Sequence, residues 1–366
     1  MQKISVSGPA ELVTIVPYHL GFQPERSVVI ICLHAKAVGL VARVDVVGRQ
    51  DAALVASQLR EPIHREAPSS VVLVSFEDRV GESRPLADAL GAALGLDGIP
   101  VDEDVVVRDG RWYCTRADGC AEDGEALPVP SDVPAVAGYV AQGRSVLGDR
   151  HAVESLVAPQ AEAHDEEVAL AVDEWRRTYR RARQAAGVGA ARGGTGGPAG
   201  QGQWDSLTDE CLDAWGALLR GATPAGSSLA GLVPALVGPL EDLDLRDALV
   251  AWLCPGWLPL DAVDARLLTR LTSKVGPLDP PRDEARPADV VCHGRTVQDA
   301  LLTLCRVTPV RFAAPVLTIA AAYSWSQGDG TRAGMCVDRA LEIDPGHRLA
   351  GLIRLGLEHG VRMPAA

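Results

Sequence analysis

Ser27-Val28-Val29-Ile30-Ile31-Cys32-Leu33 is an unbroken apolar run of strand length, dominated by β-branched residues. Such residues restrict χ1 and favour extended backbone, and a run with no polar alternation fits a strand covered on both faces. The sequence on either side decides what covers it. Downstream, Gly39 to Val47 alternates Ala42, Val44 and Val46 with Arg43 and Asp45, which predicts a strand buried on one face. Residues 51 to 66 return to helical spacing through Val55, Leu59 and Ile63. Val71 to Phe76 is a second buried strand ending in Glu77 and Asp78, and Leu86, Leu90 and Leu94 mark a second helix. Val105-Val106-Val107 and Trp112-Tyr113 flank Asp109-Gly110, a dipeptide that accepts the positive φ angles of a tight hairpin turn. Upstream, Ser7 is the expected N-cap of a short amphipathic helix with Leu12, Ile15 and Val16 on its apolar face and a kink or stop at Pro17. Strands and helices in this order predict an α/β domain with a mixed sheet over residues 1 to 134.

Strand signals stop at about residue 135, and helical segments punctuated by Gly and Pro take over. Residues 135–186 read as connecting helices. The last of them is acidic at its start (Glu162, Asp165, Glu166, Glu167) and basic at its end (Arg176, Arg177, Arg180, Arg181, Arg183), the polarity a helix dipole favours. Of the seventeen residues from Gly187 to Gln203, eight are glycine and none is a large apolar residue, so a flexible linker or loop is expected over 187–203. An all-helical domain is expected over 204–366, with helices through Leu243, Leu245, Leu249, Trp252 and Leu253 and from Ala262 to Leu271. Its most specific pattern lies at 314–345. With Pro345 as a helix-ending proline, Leu317, Ala321, Gly328, Ala333, Val337 and Ala340 fall on the small or apolar positions of a tetratricopeptide unit, so this hairpin resembles that repeat. The aromatic position of the repeat falls on Ser324, between Tyr323 and Trp325.

With 366 residues, 47% hydrophobic and 23% charged, the chain can bury more than one core of small aliphatic side chains. A formal charge of −13 repels phosphate backbones and acidic membranes, which disfavours nucleic acid as a partner unless a local basic patch exists. Pro234, Pro239, Pro255, Pro309 and Pro315 interrupt the most apolar stretches, so no membrane span is expected. The opening residues carry no export signal, and eight cysteines spread through a chain of this size fit reduced thiols. A cytoplasmic protein is expected.

Catalytic motifs are mostly missing. No G-x-x-x-x-G-K-[ST] occurs, and Gly328-Asp329-Gly330 with Gly334 has the wrong spacing for a dinucleotide loop and follows a helix where a strand is required. Gly143-Arg144-Ser145-Val146-Leu147-Gly148 misses the nucleophile elbow by one residue. His64, His151, His164, His347 and His359 form no H-E-x-x-H pair, Cys114 and Cys120 lack a second cysteine pair, and Cys292-His293 are adjacent, so neither a metal nor a cofactor is expected. What remains is polar residues near strand ends, where open α/β sheets place ligand clefts. Tyr18, His19, Arg43, Asp45 and Glu77 are the candidate lining of a pocket at the sheet edge, with acid/base chemistry open to the carboxylates. The competing reading makes Arg43 and Asp45 a solvated ion pair and Glu77 and Asp78 the polar end of a strand. Arg176, Arg177, Arg180 and Arg181, near Trp175 and Tyr179, offer guanidinium groups for phosphates and rings for stacking. Equally, the two aromatics face the core and leave an ordinary basic surface.

Val16-Pro17-Tyr18-His19-Leu20-Gly21-Phe22-Gln23-Pro24-Glu25-Arg26-Ser27-Val28-Val29 resembles the opening signature of the actinobacterial family called domain of unknown function 4192. The likeness continues through Ala42-Arg43-Val44-Asp45, Trp112-Tyr113-Cys114, Trp325-Ser326-Gln327-Gly328-Asp329-Gly330, Ala340 and Asp344-Pro345, nearly the whole chain. Family members often carry a double cysteine before a P-x-E-G turn, where this chain has Cys120-Ala121-Glu122-Asp123-Gly124. The resemblance implies a two-part cytoplasmic architecture and no particular reaction. The leading expectation is a non-catalytic adaptor or regulator acting through contacts with another protein. An enzyme or nucleotide or metabolite sensor with a pocket at the sheet edge is the alternative, and nucleic-acid binding through the arginine-rich helix is the weaker one.

Overall fold

The computed structural model describes residues 8–35, 37–115, 123–141, 144–188, 197–220, 228–276 and 297–361. The chain divides into two compact units, one formed by Met1–Val153 with Gly356–Val361 and the other built on Glu154–Leu355. The first contains α1 (Pro9–Leu20), β1 (Ser27–His34), β2 (Ala37–Asp45), α2 (Arg49–Glu66), β3 (Ser70–Phe76), α3 (Arg84–Leu96), β4 (Val101–Arg108), β5 (Arg111–Cys114), β6 (Glu125–Ala126), α4 (Pro134–Ala141) and α5 (Arg150–Glu154). Its six strands form one sheet in the order β2-β1-β3-β4-β5-β6. Only β3 and β4 are parallel, and α3 is the crossover that a parallel pair requires. All other neighbours are antiparallel, so the sheet is mixed, as the alternation of elements predicts.

The apolar run is a central strand. β1 hydrogen-bonds to β2 on one side and β3 on the other. Its residues Val28, Ile30 and Cys32, with Val71 and Leu73 of β3, pack against Ala52, Ala56 and Ile63 of α2 and Leu86, Leu90 and Leu94 of α3. The alternate residues Val29, Ile31, Val72, Val74 and Phe76 are buried as well, so the opposite face is covered too, and α1 packs there against α4 and β4. Asp109 (φ 52°) and Gly110 (φ 71°) both take the left-handed conformation that joins β4 to β5.

Three local expectations change. Pro17 neither ends nor stops α1, which runs on to Leu20. The missing N–H removes one helical bond, but the Pro17 carbonyl still accepts from the N–H of Gly21 at 2.8 Å, and Gly21, at φ 81°, is what terminates the helix. The N-cap is Gly8, with Pro9 in the first turn; Ser7 lies outside the described residues. β2 begins at Ala37 and ends at Asp45, two residues earlier at each end than the alternation suggests, and its pairing with β1 shifts register between Ile31 and Leu33.

The second unit is helical: α6 (Glu166–Ala185), α7 (Pro198–Arg220), α8 (Leu229–Val237), α9 (Leu243–Leu253), α10 (Ala265–Lys274), α11 (Val297–Val307), α12 (Ala313–Ser326), α13 (Gly330–Ile343) and α14 (Arg348–Glu358). Trp204, Leu212, Trp215, Leu236 and Leu240 are its largest fully buried side chains, and the Trp215 indole donates to the Leu236 carbonyl at 3.2 Å. Asp165 caps α6 by accepting from the N–H groups of Glu167 and Val168, which places the acidic end of that helix at its N-terminus. α7 starts at Pro198, inside the glycine-rich stretch, and residues 189–196 of that stretch lie outside the described residues. Gly328 (φ 77°) turns α12 into α13, and Asp329 caps the second helix. Leu317, Ala321, Ala333, Val337 and Ala340 are all buried between them and their neighbours. Ser324 is fully buried with its hydroxyl bonded to the Ala320 carbonyl and to Gln298 of α11, so a hydroxyl sits at the position where the repeat has an aromatic ring.

Candidate functional site

The segment from Pro17 to Ser27 leaves α1 and enters β1, and each of its features has a structural partner. Gly21 ends the helix in a conformation an L side chain adopts at a cost. The next residue, Phe22, is 2% exposed, and its backbone pairs with Leu147: the Leu147 N–H donates to the Gly21 carbonyl at 2.9 Å and the Gln23 N–H to the Leu147 carbonyl at 3.0 Å. The Arg43 guanidinium lies 5.6 Å from the centre of the Phe22 ring, donates to the Glu25 carbonyl at 3.2 Å and pairs with Asp45 at 2.7 Å. Arg43 and Asp45 point to the same face of β2, where they register with Val29 and Ser27. Arg26 sits at φ 36°, unusual for a residue with a side chain, and is held by the Val46 N–H on its carbonyl and by Glu82 on its guanidinium.

Tyr18 and His19 meet different partners. His19 Nδ1 and the Tyr139 hydroxyl of α4 are 3.1 Å apart, and the Tyr18 and Tyr139 rings lie 6.5 Å apart. Arg144 covers the Tyr139 ring at 5.8 Å and donates to the His19 carbonyl. Burial pushes the Tyr139 phenol above its ordinary value, with Arg144 opposing. Tyr139 and Arg144 escaped the sequence reading, since nothing in a separation of 120 residues signals contact.

Glu77 is on the other face of the sheet. Its carboxylate, 1% exposed, accepts from the Gly81 N–H at 3.0 Å, the Ser83 N–H at 3.0 Å, the Ser83 hydroxyl at 2.5 Å and Arg108 at 3.1 Å. It therefore closes the β3–α3 turn and anchors the start of the crossover helix. Glu82 braces the same turn from outside, accepting from the N–H groups of Asp78 and Arg79 and from Arg26. Burial pushes the Glu82 carboxyl up, and the two backbone donors with Arg26 outweigh it, so its pKa lies below the ordinary value. The five candidate pocket residues thus fall into three groups: Tyr18 with His19, Arg43 with Asp45, and Glu77 alone across the sheet.

Two buried polar atoms in this unit's candidate region, Ser27 Oγ and Arg43 Nε, have no hydrogen-bond partner. Among the described residues, no group of three or more His, Cys, Asp or Glu is placed to hold a metal ion. Cys114 is partly exposed, and Cys120 lies outside the described residues.

In the helical unit the arginines of α6 are largely paired. Arg176 and Arg180 both reach Glu241, at 2.7 and 2.6 Å, while Arg183 pairs with Asp242 at 2.7 Å and Asp244 at 2.6 Å. Arg177 donates to the Asp173 carbonyl, and Arg181 is exposed. Trp175 and Tyr179 stack at 6.3 Å, with Tyr179 buried and Trp175 half-buried. The Tyr179 hydroxyl donates to Asp242 at 3.2 Å; burial raises the Asp242 pKa above its ordinary value despite Arg183.

The same helix walls a groove of about 550 Å³, whose other walls are α7 and α8. Ala171, Glu174 and Trp175 line it from α6, Glu210, Asp213, Ala214 and Ala217 from α7, and Gly231, Leu232, Pro234 and Ala235 from α8. The spacing on α6 and α7 is that of a single helix face. Among the described residues, Trp175, read from the sequence as a stacking ring beside the arginines, is the one such candidate that lines this groove; much of the rest is alanine, a residue that carries almost no pattern signal.

The chain thus joins a mixed-sheet unit, its signature residues locked into turns and ring contacts, to a helical unit that carries an open groove. From residue 9 to residue 363 the chain matches one family model, described as Domain of unknown function (DUF4192), and it belongs to that family. No match was found among curated proteins or among solved structures. No helix among the described residues is long and apolar enough to cross a membrane.

Proposed function

We propose that this protein is a non-catalytic adaptor or regulator that works in the cytoplasm by holding another protein, and that its helical unit, with a tetratricopeptide-like hairpin at 314–345, is the receptive part. The observation that carries this reading is the groove between α6, α7 and α8, open and floored by small apolar residues. It gains support from the opposite condition of the catalytic candidates: Glu77, Arg43 and Asp45 are each engaged by their own fold. A photo-crosslinking residue placed at Leu232 of the full chain tests it in cells. A discrete crosslinked product, suppressed by Ala171→Trp, is expected; a pattern that Ala171→Trp leaves unchanged overturns the reading.

A second reading, a small-ligand sensor, is favoured by one observation. Buried polar atoms without partners are rare and mark places where a water or ligand completes the network, and Ser27 Oγ and Arg43 Nε are two of them on the same sheet face. A thermal-shift panel of nucleotides and metabolites on the full chain separates the two readings. The adaptor reading expects no compound whose stabilisation disappears in both Ser27→Ala and Asp45→Asn; one such compound replaces it with the sensor.

A further inference from the structure

The groove on the helical unit carries charge as well as shape. Ala214, Ala217 and Ala235 form its floor, side chains short enough for another backbone to approach closely, Ala171 and Gly231 lie exposed at its mouth, and Trp175 and Leu232 are half-buried apolar walls. Its rims carry carboxylates on both sides: Glu174 on α6, and Glu210 with Asp213 one turn apart on α7. Glu174 is 73% exposed and reaches Arg177 only at 4.0 Å; Asp213 is 58% exposed and pairs with Lys274 at 2.8 Å. Glu210 is exposed and makes no ion pair among the described residues. Among the described residues, no guanidinium or ammonium lines the groove itself. Arg176, Arg180 and Arg183 of α6 are held by Glu241, Asp242 and Asp244.

Resting on the adaptor reading, we propose that the occupant of this groove is a basic amphipathic helical segment of another protein, laying an apolar stripe on the alanine floor and setting Lys or Arg against Glu174 on one side and Glu210 and Asp213 on the other. An apolar seam between two negative rims is the complement of a helix with a leucine face flanked by cations. Trp175 adds a ring face for a cation or an aliphatic stem. A volume of about 550 Å³ accommodates the side chains of one helix face while the helix body stays outside. The net charge of −13 steers such a segment toward the protein before contact.

The test uses the full chain and two synthetic peptides with the same helical spacing of leucine, one with lysine and one with glutamate on the polar face, read by fluorescence anisotropy. Glu174→Gln with Glu210→Gln removes the rim charge, Ala171→Trp fills the mouth from an exposed position, and Glu162→Gln with Glu167→Gln removes the same charge elsewhere in the unit. The expected result is binding of the lysine peptide that weakens at least tenfold in the rim variant and in Ala171→Trp and is unchanged in the control pair. Equal binding to all four proteins, or none, overturns the proposal. Binding of the glutamate peptide, blocked by Ala171→Trp, overturns the basic partner while leaving the adaptor reading in place. Full competition by spermidine at equal charge concentration also overturns it, because a small cation lacks the apolar stripe.

Discussion

Glu77→Ala is the substitution that best separates a fold-holding carboxylate from a functional one. The carboxylate is 1% exposed, Arg108 beside it is 16% exposed, and the remaining donors are two backbone N–H groups and a hydroxyl at the start of α3. Truncation removes the buried carboxylate from a largely buried guanidinium, leaving it Asp109 at 3.9 Å and the Tyr113 ring at 4.6 Å, and a loss of about 3–5 kcal/mol is typical when one member of a buried pair is removed. It also leaves the Gly81 and Ser83 N–H groups and the Ser83 hydroxyl without their acceptor, for which about 1–3 kcal/mol is typical, but the two losses share one carboxylate and do not add in full. About 3–5 kcal/mol is therefore expected for Glu77→Ala. Glu77→Gln, with one oxygen still accepting and an amide facing donors, should lose about 1–3 kcal/mol. Urea unfolding followed by amide exchange in β3 and α3 measures this within the first unit alone, and a cycle with Arg108→Met isolates the pair. If Glu77→Ala lost less than about 1 kcal/mol and Arg108→Met showed no coupling to it, the carboxylate would not be holding the turn, and the structural account of Glu77 would fail.

Further expectations concern other elements. Gly21→Ala should lose about 1–2 kcal/mol in urea unfolding, purely from the left-handed backbone at φ 81°, since a Cβ there meets nothing within 4 Å. Asp242 is raised by burial, so stability should fall as pH rises from its ordinary 3.8 through the raised value. Asp242→Asn cannot titrate, and the stability difference between wild type and variant should shrink across that interval. His347 is lowered by burial first and Arg246 second, and its Nδ1 lies 3.3 Å from the Ala350 N–H at the start of α14. The neutral ring is the folded form, so stability is complete above the ordinary 6.5 and is lost as pH falls below it; in His347→Asn that acid-side loss should be absent from pH-dependent melting curves.

Most of the first unit was legible because its strands are long, apolar and β-branched, and because Asp109-Gly110 admits few alternatives to a hairpin. Helices read from stripes such as Leu86, Leu90 and Leu94 were equally visible, since burial of one face is what the stripe records. Pro17 misled because a proline rule weighs only the local hydrogen bond, whereas the face of α1 that contains Leu12, Val13, Ile15 and Val16 is buried and holds the helix through the proline. The two-residue β6 carries no periodicity at all. Side-chain partners were the least legible. Glu77 and Arg108, or Arg183 and Asp242, are joined by topology over 31 and 59 residues, and no spacing rule reaches that far. The groove was invisible for a different reason: alanine is compatible with core, surface and interface alike, so its position becomes informative only once three helices are packed.

The charge distribution links these points. Thirty-five Lys and Arg face 48 Asp and Glu, and arginine supplies nearly all the cations. A guanidinium reaches two carboxylate oxygens at once, so each arginine is readily fixed inside its own unit, as Arg84 is on Asp104 and Arg270 on Asp205 and Asp209. Cations committed in this way cannot serve a partner, and the surplus charge of the chain is carboxylate. Where that excess lies over polar surface it is merely solvated. At the groove it borders an apolar floor, and a cation delivered there loses little hydration while its stem covers alanine. That combination, not net charge, distinguishes the groove from the rest of an acidic surface. It also fixes the salt response expected of an authentic partner: added salt should slow association through screening of the rims and leave dissociation, set by apolar contact, nearly unchanged.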